Sequence, residues 1–145
     1  MRRLLYPSEQ TERTWSVEVK STLELPNSRI DDMDIVDGIA RIHFSHASIR
    51  KTRGVRDAGT AWSQEALLVM EDAATEGPLP QLPGSIAEGH LEVGGIRHEL
   101  IPLPFRRKVA ATLHLTFIDG AQMKLTGMRP HIELLGTPIY LDDYP

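Results

Sequence analysis

The sequence predicts a mainly β protein, either an antiparallel β-barrel or a two-layer β-sandwich of about six to eight strands. Three observations support this fold class. Several segments alternate apolar and polar residues with the period of a half-buried strand. Two hairpin turns are marked by glycines, at 94–95 and at 118–120. A proline-rich connector, 77–84, can form neither a helix nor a central strand.

The chain of 145 residues is long enough for one domain with its own core. Residues 1–13 are polar, contain Pro7 and lack periodicity, so we expect a flexible N-terminal arm. We expect residues 14–145 to form a single β-rich domain that begins with a strand at 14–20. The stretch 26–34 carries Pro, Asn, Ser and several Asp residues, which favours a turn-rich connection.

Two segments are ambiguous. Residues 38–51 form the longest strand candidate, but both faces mix apolar and polar residues, which indicates a strand that is twisted, bulged or partly covered on both sides. Residues 61–75 suit either one short helix or a strand. Their composition favours helix, whereas the apolar run 66–70 suits a buried strand. We favour the strand because β segments lie on both sides of it.

The two hairpins and the last strand have a predicted register. The first hairpin turns at 94–95 and places His98 on its apolar face. The second needs a three-residue loop, because only that register pairs inward residues such as Leu115 and Met123 with each other. Residues 128–134 form a last strand, in which Pro130 indicates an edge position or a bulge. Its predicted inward residues are Met128, Ile132 and Leu134.

Composition excludes several classes of function. The chain has no cysteine, which rules out disulfides, thiolate metal sites and a cysteine nucleophile. A net charge of −4 argues against a dedicated nucleic-acid-binding protein. The apolar stretch at 4–6 is too short for a signal peptide, and the longest apolar run is far below the roughly 20 residues of a membrane helix. We therefore expect a cytoplasmic protein that does not contact membranes.

No sequence motif predicts a catalytic, cofactor or metal site. The chain lacks a nucleophile elbow, a dinucleotide fingerprint, a phosphate-binding loop and a zinc-protease motif. The acids Asp32, Asp34 and Asp37 resemble a calcium loop only superficially, because the third comes one residue late and His43 stands where Glu is required. We expect a solvated acidic turn there.

A basic segment at 50–56 is the strongest candidate for ligand binding. Guanidinium groups around a glycine can grip a phosphate or carboxylate through paired hydrogen bonds. The alternative is a solvated loop whose charges discourage edge-to-edge aggregation. The candidate residues of this segment are Arg50, Lys51, Arg53 and Arg56.

Two of the six histidines are further candidates for a binding site. His98 is either a histidine at the edge of the core or a base or ligand at the mouth of a pocket. His43 lies on the opposite face of its strand from His46, so the two cannot share a metal ion unless a bulge intervenes. We expect His90 and His114 to face solvent.

Three functions remain open from the sequence. The first is a non-catalytic binding or interaction domain that forms a homodimer through a strand edge. The second is a carrier of a small anionic ligand, with a pocket near His98 and the basic loop as its gate. The third is a histidine-dependent enzyme, which lacks support because no nucleophile, metal set or oxyanion site accompanies the histidines.

Overall fold

The computed structural model describes residues 20–52 and 59–144, and these ranges form nine β-strands and no helix. The strands are β1 (Lys20–Val36), β2 (Ile39–Thr52), β3 (Gly59–Glu76), β4 (Gly84–Val93), β5 (Ile96–His98), β6 (Leu100–Leu103), β7 (Phe105–Arg106), β8 (Ala110–Phe117) and β9 (Gln122–Tyr144). The predicted β class is confirmed, with more strands than expected. The predicted arm at 1–13, all but the last residue of the predicted strand at 14–20, and residues 53–58 lie outside the described ranges.

The strands form one antiparallel sheet that closes into a ring. Around the ring the order is β1, β2, β3, β9, β8 and β4. The ring closes where Arg29 and Ile30 of β1 pair with Ser85 and Gly84 of β4. The short strands lie outside this path, with β5 beside β4, β6 beside β1 and β7 beside β9. Within the ring, closure gives each strand a neighbour on both sides.

Four of the strands continue beyond the ring. Their ends pair as a curved sheet that we call the open arm, made of residues 20–24, 48–52, 59–63 and 139–144. β6 pairs with β1 along one side of this arm. The end of β9 forms the other side.

The core fills the ring with apolar side chains, the largest of which include Phe44, Leu68 and Met70. The mixed pattern of 38–51 is explained by a bulge in β2, as predicted. Phe44 pairs with Ala66 and Ala47 with Gln64, so β2 contains one extra residue between these pairs. The inward positions therefore change phase along β2.

The predicted turn-rich connection at 26–34 is wrong, because β1 runs through it without a break. The turn-type residues instead form a bulge, in which Asn27 has a φ of 72°. The buried hydroxyl of Ser28 donates to the carbonyl of Glu24 at 2.7 Å and accepts the Ser48 N–H at 2.9 Å. The Ser28 side chain thus replaces hydrogen bonds that the strand backbone loses at the bulge, so polar residues can remain within the strand.

The segment 61–75 is a strand, as favoured, and the helix alternative is wrong. It lies within β3, which has β2 on one side and β9 on the other. Pairing on both sides outweighs the helix propensity of its residues. Its alternate residues Ala66, Leu68 and Met70 are buried in the core.

Both hairpin registers are confirmed. Leu91 pairs with His98 across a turn in which Gly94 and Gly95 have φ values of 57° and 85°. Leu115 pairs with Met123, as the three-residue loop requires. These local pairings follow directly from the turn residues and the alternation of side chains.

The predicted last strand at 128–134 is not separate: it is part of β9, which also contains the second strand of the second hairpin and extends to Tyr144, ten residues beyond the predicted end. Pro130 lies in the predicted bulge, since His131 pairs with Val69 but Met128 pairs with Glu71. Leu134 was predicted to point into the core but is 43% exposed. The reason is its position, because β9 leaves the ring there.

Candidate functional site

The predicted basic site is only partly within the described ranges, since Arg53 and Arg56 lie outside them. The Nε atom of Arg50 lies 3.7 Å from a carboxylate oxygen of Glu24. The ammonium group of Lys51 lies 4.4 Å from the centre of the Trp62 ring, within the range of a cation–π contact. Both described cations therefore contact neighbouring strands of the open arm.

His98 lies at the edge of the core. Its ring meets that of buried Phe105 edge-on, with the ring centres 6.0 Å apart. The side chain shares the inward face of its cross-strand partner Leu91, which is completely buried. These contacts fit the interpretation of His98 as a histidine at the edge of the core. His98 does not line the pocket that contains His90 and His114.

His43 lies at the centre of a hydrogen-bonded row that crosses three strands. Its Nδ1 lies 2.5 Å from a carboxylate oxygen of Asp31 on β1. Its Nε2 lies 2.5 Å from a carboxylate oxygen of Glu65 on β3. The β2 bulge also places His46 on this outer face, where its ring contacts the hydroxyl of Ser63. We call the Asp31, His43 and Glu65 group the acid–histidine–acid row.

The acid–histidine–acid row favours a charged imidazole. Burial lowers the pKa of His43, but the hydrogen bonds to Asp31 and Glu65 and the charges of both carboxylates raise it above 6.5 overall. An imidazolium donates from both nitrogens, which matches two acceptors. A general base needs a free ring nitrogen, and both nitrogens of His43 are occupied. The row is suited to linking three strands rather than to proton abstraction.

A surface pocket of about 420 Å³ lies on the outer wall of the ring. In its wall, His90 of β4 and His114 of β8 stand opposite each other and stack, with ring centres 4.5 Å apart and planes 21° apart. The pocket is lined by Pro26, Glu88, Gly89, His90, Arg97, Glu99, His114 and Thr116. The two histidines were expected to face solvent, yet they are only partly exposed.

Gly89 allows the two strands of this pocket to approach closely. A Cβ atom at this position would lie 2.7 Å from Cδ2 of Leu115 and 3.0 Å from the carbonyl oxygen of His114. A larger residue would therefore require the buried Leu115 side chain or the neighbouring β8 backbone to move.

The surroundings of His90 favour its neutral form. Arg97 donates a hydrogen bond to Glu99 at 3.1 Å, so its charge is largely balanced. Burial lowers the pKa of His90, and the positive charges of Arg97 and His114 lower it further, against the opposing charges of Glu92 and Glu99. Across residues 20–52 and 59–144, no three His, Asp or Glu side chains are grouped so as to hold a metal ion.

A second surface feature is the free edge of β9. On one side, residues 133–135, 139–140 and 142–144 pair with β3, with bulges between these stretches, and within the described ranges no strand pairs with the other side of 133–144. We call this segment the β9 edge. Its exposed apolar side chains are Leu134, Ile139, Tyr140 and Leu141, with exposed fractions of 43%, 61%, 50% and 51%.

An apolar groove adjoins the β9 edge. It has a volume of about 360 Å³ and lies between the β6–β7 segment and β9. Its lining residues are Ser21, Leu103, Pro104, Ile132 and Leu134. The exposed apolar surface of β9 therefore continues into a cleft between the two sides of the open arm.

No protein-family model matches this chain, and no curated protein or solved structure is significantly similar to it. Within the part of the chain that the structure describes, no helix is long and apolar enough to span a membrane.

Proposed function

We propose that this protein is a non-catalytic, cytosolic interaction domain that forms a homodimer by pairing the β9 edge of one copy with that of another. The observation that carries this proposal is the β9 edge itself. It combines a long run of backbone without a strand partner on one side and four exposed apolar side chains.

The physical driving force combines backbone pairing with burial of apolar surface. An edge strand presents N–H and C=O groups that a second strand can satisfy directly. Covering the apolar side chains adds about 25 cal/mol per Å² of surface removed from water. The adjoining groove offers further apolar surface beside the paired strands.

A second copy is the occupant that the edge fits by symmetry. Two identical strands pair antiparallel about a twofold axis, the commonest symmetry of homo-oligomers. If the axis passes near Leu141, Tyr140 lies opposite Asp142 of the other copy, and Ile139 lies opposite Asp143. Each acid then lies across from an apolar residue, so like charges do not face each other directly.

The two alternative functions have less support. The pocket contains one arginine, already paired with Glu99, and a second acid, Glu88, which disfavours an anionic ligand. Neither His98 nor the described part of the basic segment lines this pocket. His43, one candidate base for an enzyme, has both ring nitrogens bonded to carboxylates.

The test is the oligomeric state measured by sedimentation equilibrium over a wide concentration range. We expect a dimer for the wild-type chain and a monomer for the variant Ile139→Lys with Leu141→Lys. Leu141→Lys would bring two like charges together at the twofold axis, and both substitutions remove apolar surface from the β9 edge and keep the strand hydrated. Both side chains are exposed, so the variant should keep the circular dichroism spectrum of the wild type.

A matched control is Ile118→Lys, which adds the same charge at an isoleucine that is 72% exposed in the turn between β8 and β9. This control should dimerise like the wild type. A wild-type monomer at every concentration up to the solubility limit would overturn the proposal. Equal dissociation constants for the edge variant and the control would also overturn it.

A further inference from the structure

We propose that His90 and His114 together chelate a divalent transition-metal ion of the zinc type on the outer wall of the ring. No metal site was predicted from the sequence, because the two residues belong to different hairpins. The inference does not depend on self-association, since the β9 edge does not line this pocket.

The geometry brings two imidazoles to one point of the sheet. His90 and His114 are direct cross-strand partners, and their side chains leave the same outer face. Zinc binds imidazole nitrogen at about 2.0–2.1 Å, so two such ligands stand about 3.3 Å apart around a tetrahedral ion. Rings whose centres are 4.5 Å apart reach this arrangement by turning about their side-chain bonds. The open pocket beside them gives room for this rotation.

The electrostatics favour a cation over an anion. Among the charged residues that line the pocket, Glu88 and Glu99 outnumber Arg97. Glu92 adds a further negative charge near His90, while Lys124 is the cross-strand partner of His114 on β9. Metal binding also requires a neutral imidazole, and burial, the largest influence on the pKa of His90, lowers it and so favours the neutral form.

The chemistry of the donors indicates which ions would bind. Neutral imidazole suits Zn²⁺, Cu²⁺ and Ni²⁺, whereas Mg²⁺ prefers oxygen ligands. Two imidazoles leave positions for water in the coordination shell, and the carboxylates of Glu88 and Glu99 face the same pocket. The site would therefore be open rather than a closed structural centre.

The test is isothermal titration calorimetry of untagged protein with ZnCl₂ at neutral pH, with MgCl₂ titrated separately. We expect one Zn²⁺ per chain and no heat from Mg²⁺. His90→Gln and His114→Gln, made separately, should each weaken Zn²⁺ binding by at least about tenfold, since even the loss of an outer-sphere partner costs that much. Binding should also weaken as the pH falls and the imidazoles become protonated.

The matched control is His131→Gln, which removes a partly exposed histidine that contacts Glu133 at 3.0 Å elsewhere on the sheet. It should bind Zn²⁺ as the wild type does. Each variant is checked by circular dichroism, and two independent variants guard against misfolding of either one. The proposal is wrong if wild-type protein takes up no Zn²⁺, or if His131→Gln lowers the affinity as much as His90→Gln and His114→Gln. Repeating the titration on the Ile139→Lys, Leu141→Lys variant separates this site from dimerisation.

Discussion

The two halves of β9 show that the position of a side chain in the sheet decides whether it is buried or exposed. In the ring, Leu125 is completely buried, with β8 on one side and β3 on the other. In the open arm, Leu141 of the same strand is 51% exposed. Hydrophobicity is the same at both positions, so the difference lies in the neighbours: β9 has a strand on each side at Leu125, but only β3 beside it near Leu141. In the first half of β9, an apolar side chain joins the core and stabilises the monomer. In the second half, an apolar side chain is exposed and can contact a partner.

The largest predicted effect compares these two leucines directly. Leu125→Ala should lower the free energy of unfolding by about 2–5 kcal/mol, because it removes core contacts and leaves a cavity. Leu141→Ala should change it by less than about 0.5 kcal/mol, as exposed substitutions usually do. The measurement is urea denaturation at the lowest protein concentration that the signal allows, so that dimerisation does not contribute. Equal losses at the two positions would show that the monomer already covers the β9 edge.

The ring and the open arm also differ in how far the sequence predicts them. The fold class and both hairpin registers could be predicted, since they depend on turn residues and on alternation within a few residues of each turn. Ring closure between β1 and β4 could not, because it joins residues such as Ile30 and Gly84 that are distant in the chain. The continuous path of β1 was also missed. Its bulge depends on Ser28, whose hydroxyl bonds to two other strand positions.

A smaller predicted effect concerns the outer wall of the ring, where the acid–histidine–acid row links three strands. The folded state raises the pKa of His43 above the unfolded value of 6.5. The stabilisation is therefore fully present below pH 6.5 and is lost as the pH rises through the folded-state pKa. Since the two acids are 39% and 45% exposed, we expect less than about 1 kcal/mol.

The measurement is the difference in unfolding free energy between the wild type and His43→Gln across this pH range. The difference should be larger on the acid side of pH 6.5 than on the alkaline side. Asp31→Asn and Glu65→Gln should reduce the same pH dependence. A difference that grows with rising pH would contradict a charged imidazole in the row.

The candidate sites follow the same division between local and long-range information. The sequence placed His90 and His114 correctly on polar faces, but their stacking requires the pairing of β4 with β8, which no local pattern predicts. His43 was recognised as a candidate, whereas its partners Asp31 and Glu65 lie on two other strands. The sequence identifies residues whose side chains can bind ligands or protons. The sheet topology determines which of them lie close together.

The most direct test of the central claim is amide hydrogen exchange along β9, followed by mass spectrometry at low and high protein concentration. At low concentration, we expect residues 139–144 to exchange faster than residues 124–128, which have a strand on each side. At high concentration, exchange at 139–144 should slow in the wild type but not in the Ile139→Lys, Leu141→Lys variant. If 139–144 exchange at a rate that is independent of concentration, the β9 edge does not pair with a second copy.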